Sequence, residues 1–180
     1  MDFTLTAATI DQIPDIEALI AESVRGLGQS YYSADQIEGA LKTAWGVDTQ
    51  LILDGTYFVV HDGNMLVACG GWSFRETLFG NDSVTDRDDS MIDPGNGAAK
   101  IRAFFVKPIY ARRGLGSTLM RRCEEEAVKK RYKRLELMAT LPGQRLYERF
   151  GFVADSPIDY PLSDKLSIQF VPMKKDTLCE

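Results

Sequence analysis

The stretch that decides the fold runs from Ile101 to Met120, I-R-A-F-F-V-K-P-I-Y-A-R-R-G-L-G-S-T-L-M. Ile101–Val106 reads as a compact apolar strand, with Pro108 just past its end. Leu115, Leu119, Cys123 and Ala127 then recur every fourth residue, the mark of a helix, with Arg121, Arg122, Glu124, Glu125 and Lys129 on its outer face. Arg134–Ala139 is a second strand. A strand–helix–strand unit of this length is normally a right-handed crossover between parallel strands. Gly114 and Gly116 let the chain turn tightly into the helix and keep side chains away from its first N–H groups. Unpaired donors and the helix dipole favour an anion there, and Arg112 and Arg113 add positive charge. Such a turn suits phosphate or pyrophosphate, although two glycines at this spacing also serve simply to shape a connection. The dinucleotide fingerprint fits less well. Glu136 stands at a suitable distance, but Leu119 occupies the third glycine position and Lys107–Arg113 separate the strand from Gly114.

Downstream, a short helix is predicted from about Pro142 to Phe150, stopped by Gly151. Phe152 onward and Leu166–Met173 read as two closing strands joined through Pro157, Pro161 and Ser163-Asp164, and Lys174–Glu180 as a frayed end. Upstream, Phe3–Ala8 alternates like a half-buried strand. Thr9 with Gln12 and Ser33 with Gln36 carry the capping-box spacing before two helices. The first shows an apolar stripe of Ile13, Ile16, Ile20, Val24 and Leu27 and is ended by Gly26 and Gly28; the second runs to about Trp45. Tyr57–His61 and Met65–Trp72 form a hairpin about Asp62-Gly63-Asn64. Ser73–Ala99 is a long loop rich in aspartate, and a loop of that length is either a binding loop or a surface insertion.

The chain has 180 residues, 44% hydrophobic and 26% charged, with no internal repeat or linker, which predicts one domain over 1–180. A net charge of -5 excludes nucleic acid as the main partner. The N-terminus lacks the basic flank and apolar run of a signal peptide, and no stretch approaches the ~18 apolar residues of a membrane span. Cys69, Cys123 and Cys179 lack metal-ligand spacing and His61 is the only histidine, so no metal site is expected, and the thiols read as reduced cytoplasmic fillers.

Two signatures now stand in order. F-F-V-K-P-I-Y-A-R-R-G-L-G-S-T-L-M resembles the acetyl-CoA motif of the GNAT superfamily, and R-L-Y-E-R-F-G-F resembles its second signature. One position departs: Ala111 stands where Gln or Arg is usual, with arginine displaced to Arg112 and Arg113. The resemblance implies a single-domain α/β (α+β) fold, a mixed, mostly antiparallel sheet whose central pair is parallel and splayed, flanked by helices. It implies an acetyl-CoA-dependent N-acetyltransferase acting by direct attack of an amine in a ternary complex, with acetyl-CoA as co-substrate. Phe104, Phe105 and Val106 would pair with the pantetheine arm, and an N–H at Val106 or its neighbour would face the thioester oxygen. Backbone N–H groups from Arg112, Arg113, Gly114, Leu115, Gly116, Ser117 and Thr118 would hold the pyrophosphate, and Tyr147 would protonate the departing thiolate. The alternative is a catalytically silent acyl-CoA-binding regulatory or interaction module.

The acceptor side is less legible. The motif strand offers no glutamate as general base; Glu76, the loop aspartates and His61 are candidates, with a water chain as the fallback. Glu136 is expected to pair with Arg102 on the neighbouring strand. Tyr31, Tyr32 and Glu76 are assigned to the acceptor site, and Trp45 and Trp72 to the core. The aspartates of the long loop are expected to bias that site toward cationic amines. A small-molecule amine is the expected partner, a protein amine the second choice, and a homodimer is compatible with the sequence; membranes are not a partner.

Overall fold

The computed structural model describes residues 3–177. In chain order the elements are β1 (Phe3–Ala7), α1 (Ile13–Gly28), α2 (Ala34–Thr43), α3 (Thr49–Leu53), β2 (Tyr57–Asp62), β3 (Met65–Ser73), β4 (Ala99–Val106), α4 (Leu115–Lys129), β5 (Arg134–Thr140), α5 (Gln144–Arg149), β6 (Val153–Ala154), β7 (Ile158–Ser163) and β8 (Leu166–Asp176). The strands make one eight-stranded sheet in the order β1-β2-β3-β4-β5-β8-β6, with β7 also paired to β8. Alternation along β2 sends Phe58 and Val60 into a core with α4, and Tyr57 and Val59 into a second core with α1 and α2. The helices therefore cover both faces.

Every strand pair is antiparallel except β4–β5. That parallel pair is short, joining only Ala99–Ile101 to Leu135–Leu137. Beyond Ile101 the strands part, which is the splayed central pair of the GNAT plan. On its other side β4 carries a bulge. Ala103 and Phe104 both fall opposite Gly70, between the pairs Cys69↔Phe105 and Gly71↔Arg102. Ala103 takes a left-handed φ of 54. A Cβ on Gly70 would lie 2.4 Å from the Phe104 ring, so only glycine admits that ring. The Tyr57 hydroxyl reaches across from β2 and donates to the Ala103 carbonyl at 3.0 Å.

The helix starts follow their spacing. The Thr9 N–H donates to Gln12 Oε1 at 3.0 Å before a short 3-10 turn at Ile10–Gln12, and Ser33 and Gln36 bond reciprocally ahead of α2. Three expectations need correction, and one element, α3, was not foreseen. Gly26 does not end α1; it lies inside the helix where Pro108 presses, and a Cβ there would be 2.3 Å from Pro108 Cγ. The five-residue α3, capped by Asp48 accepting from the Gln50 N–H, is too short to leave a periodic trace. The proline-containing connection is itself a strand, β7, tolerated because it pairs on one side only. Lys174, Lys175 and Asp176 continue β8 against Arg134–Glu136 rather than fraying. Cys179 lies outside the described residues.

The long loop is stitched to itself. Arg75 bridges Met91, the Glu76 N–H donates to the Ser90 carbonyl, and the Thr77 N–H to the Asp88 carbonyl. Arg75 also clamps Asp54 at the end of α3 through two bonds of 2.7 and 2.8 Å.

Candidate active site

The parted strands open a cleft of about 390 Å³ between α1, the α4 loop and α5. Phe104, Phe105 and Val106 line its floor. The Val106 N–H donates to the Ser23 hydroxyl of α1 at 3.2 Å, so it points out of the sheet's β3 side and into the parted region. Amide directions alternate along a strand, which turns the Phe104 N–H to the same side. The bulge delivers Phe104 to that position.

At the cleft mouth the chain passes through two left-handed residues, Arg112 (φ 65) and Gly114 (φ 85). Gly114 caps α4. Among the described residues, the N–H groups of Gly114, Leu115, Gly116 and Ser117 find no backbone or side-chain acceptor. Four adjacent donors at a helix start form a seat for an anion. Of the residues assigned to this loop, Arg112, Gly114, Leu115, Gly116 and Ser117 line the cleft. Arg113 does not; its guanidinium stacks on Tyr110 at 4.9 Å. Thr118 is exposed, and its N–H and hydroxyl both turn back to the Gly114 carbonyl. Gly116 has a further duty, since a Cβ there would meet Leu146 of α5 at 2.9 Å.

Two charged cleft residues escaped the sequence reading. Arg145 and Arg149 stand one turn apart on α5 and both line the cleft, facing the loop that carries Arg112. Their spacing of four, flanking Tyr147, was the available signal. Tyr147 itself is buried in the cleft wall, its ring tilted on Phe104 at 6.1 Å and edge-on to Phe152 at 6.0 Å. Burial, with a smaller contribution from Cys123, raises its phenol well above the ordinary value, so it stays protonated through neutral pH. No hydrogen bond to its hydroxyl is formed among the described residues.

A second cavity of about 60 Å³ adjoins the first and shares Trp45, Phe104, Phe105, Thr140 and Tyr147 with it. Its farther wall is Leu78, Phe79 and Gly80 from the long loop, with Met138 and Phe170 from β5 and β8. The loop therefore borders this space, but not through its acids. Asp82 accepts from the N–H and hydroxyl of Thr49, Asp88 from Ser90, and Asp89 lies 3.7 Å from Arg87. Those charges hold the loop together, and the expected bias toward cationic amines has no support in their placement. Glu76 is exposed and Tyr31 is 53% exposed; neither lines either cavity, and neither does His61. Tyr32 does line the cleft; its hydroxyl donates to the Gln169 carbonyl and accepts from the Leu141 N–H, and burial pushes its phenol up to about 12. Trp45 is buried, yet it walls both cavities.

Behind the second cavity lies a charge cluster. Asp48 accepts from Arg102 and Arg87 at 2.7 Å each, with side-chain exposures of 1%, 2% and 11%. Arg102 also donates to the carbonyls of Thr77 and Gly80, pinning the loop to β4. Glu136 does not pair with Arg102. The parallel register sets it opposite Lys100, which it meets at 2.8 Å, while Arg102 lies past the last paired residue. Among the described residues no cluster of His, Cys, Asp and Glu could hold a metal ion. No helix among them is long and apolar enough to cross a membrane.

A parted parallel pair, a donor-rich loop at a helix start and a tyrosine in the same cleft define an acyltransferase of the coenzyme A type. The match of residues 20–152 to the acetyltransferase (GNAT) family model places the chain in that family. Among curated proteins no sequence match was found. Among solved structures, the fold is similar to a GCN5-related N-acetyltransferase from Rhodopseudomonas palustris, with a TM-score of 0.72 at 16% identity, covering 98% of this chain and 97% of that one. It is also similar to the PaiA N-acetyltransferase of Thermoplasma acidophilum in complex with coenzyme A, with a TM-score of 0.67 at 15% identity over 98% and 100% of the two chains. A third is the ribosomal-protein-S18-alanine N-acetyltransferase of Escherichia coli, with a TM-score of 0.61 at 14% identity over 97% and 94%. Identities this low speak for the fold and not for the acceptor.

Proposed function

We propose that this protein is an N-acetyltransferase that moves the acetyl group of acetyl-CoA to an amine by direct attack in a ternary complex. The observation that carries the reading is the row of unpaired N–H groups at Gly114–Ser117, on the same cleft as the Phe104 N–H and the Tyr147 hydroxyl. Acetyl-CoA supplies an acyl group activated as a thioester. The loop donors, with Arg112 at its edge, bind the pyrophosphate, and Arg145 and Arg149 add charge for the remaining phosphate. The edge of β4 at Val106 pairs with the pantetheine amide, exchanging its bond to Ser23 for one to the ligand. The Phe104 N–H, aimed by the bulge, stabilises the negative charge that develops on the thioester oxygen. Tyr147 holds the proton that the leaving sulfur takes.

Direct transfer is favoured over a cysteinyl intermediate because Cys69 and Cys123 are buried and line neither cavity. Burial also pushes the Cys69 thiol up to about 12, far from a reactive thiolate. A thermal shift tests the binding half of the reading. Acetyl-CoA at about 100 times its Kd is expected to stabilise the fold by roughly 2.7 kcal/mol, and Gly114→Val, forced into a left-handed conformation, to lose most of that gain. Stabilisation by NAD and not by acetyl-CoA would overturn the reading.

A further inference from the structure

The second cavity is walled by Trp45, Leu78, Phe79, Met138 and Phe170 and opens on the cleft at Phe104 and Tyr147. Among the described residues lining the two cavities there is no carboxylate, imidazole or lysine. The charges facing this space are guanidiniums: Arg112, Arg145 and Arg149 on the cleft, and Arg102 at the second cavity. Asp48 lies behind Arg102 and is shared with Arg87, which also stands 3.8 Å from Asp82 and 3.7 Å from Asp89, so the acids of this cluster are engaged by guanidiniums and none lines the cavity. The other titratable groups are the phenols of Tyr32, Tyr110 and Tyr147, all neutral near pH 7 because burial or, for Tyr110, the hydrogen bond to Asp62 raises them.

An ammonium ion entering this space would give up its hydration and meet no anion on the walls. Attraction to the aromatic faces is weaker than the hydration lost. An uncharged amine on an apolar body loses little and gains contact with the wall. Resting on the N-acetyltransferase reading, we infer that the acceptor is a small primary amine with an apolar body, bound as its free base, and that solvent removes its ammonium proton before it binds. No enzyme base is then required. The nitrogen lone pair forms the C–N bond and the C–S bond breaks with its electrons on sulfur. Tyr147 gives its proton to that sulfur, and the proton shed by the acylated nitrogen returns to the Tyr147 oxygen. Amine and thioester become amide and thiol with no net proton change.

The test is CoA-thiol release by the full chain with benzylamine, a ring-fluorinated benzylamine, spermidine and lysine from about pH 6 to about 10.5. For benzylamine, kcat/KM is expected to rise about tenfold per pH unit. For the fluorinated amine, whose ammonium is the stronger acid, the profile should bend at a lower pH, by the difference between the two ammonium pKa values. Spermidine and lysine should be turned over at least about tenfold less efficiently. A bend at one pH for both benzylamines would reveal an enzyme base and overturn the inference, as would a preference for spermidine or lysine. Phe79→Ala should raise the benzylamine KM about tenfold while leaving the acetyl-CoA KM unchanged; an unaltered benzylamine KM would count against the assigned wall. The acetyl-CoA thermal shift separates the two levels. A shift with no amine turned over defeats the acceptor assignment alone, and no shift defeats the underlying reading with it.

Discussion

Tyr147 is where a single atom separates two roles. Its hydroxyl bonds to no described residue while its ring packs on Phe104 and Phe152, so Tyr147→Phe removes a proton donor and leaves neither a hole nor an orphaned partner. Its kcat is expected to fall about 10²–10⁴-fold, with acetyl-CoA affinity and the unfolding midpoint nearly unchanged. Activity within about twofold of wild type, with chemistry limiting turnover, would make water the acid. Arg145→Ala and Arg149→Ala should each weaken acetyl-CoA binding about tenfold, by titration, and less at high salt because partly exposed charges are screened. The place of Tyr147 on the cleft was legible because it sits inside a recognised run of letters. The two arginines beside it were not, since a charged residue on a short helix reads as a solvated face until the opposite wall of the cleft is known.

At the level of elements, the bulge in β4 couples packing to chemistry. Tyr57→Phe would leave the half-buried Ala103 carbonyl without its donor, at a cost of about 0.5–1.5 kcal/mol, and release the residue that turns Phe104 into the cleft. The expected signature is a kcat reduced about tenfold with acetyl-CoA affinity retained, because the loop at Gly114–Ser117 is untouched. Equal losses in kcat and binding would point to general unfolding instead. Asp48→Ala leaves the buried Arg102 guanidinium without a carboxylate, while Arg87 keeps Asp82 and Asp89 nearby, and should cost about 3–5 kcal/mol of unfolding free energy, read from the denaturant midpoint. Periodicity and caps made α1, α2 and α4 readable, and the motif placed β4 beside β5. Contacts across long separations were not readable. Nothing local in β4 says that Arg102 meets Asp48 or that Glu136 belongs to Lys100; those pairings follow from a register that only the assembled sheet defines.

The whole molecule buries several neutral phenols, and that fixes the sign of its alkaline response. Burial raises Tyr57 and Tyr147 above the ordinary phenol value of about 10. Their contribution to stability is therefore complete below about pH 10 and is lost as pH climbs above it, because the unfolded chain releases protons that the fold retains. The urea midpoint should be lower at about pH 11 than at about pH 8, and Tyr147→Phe should reduce that difference. The same architecture brings two cavities together at Phe104 and Tyr147, the ones proposed above for the thioester and for the amine. Initial-rate measurement of CoA release, with acetyl-CoA and an apolar amine both varied, tests that joint arrangement most directly. Saturable, amine-dependent release with intersecting double-reciprocal lines is the expected result. Parallel lines would point to a covalent acetyl-enzyme and contradict direct transfer in a ternary complex.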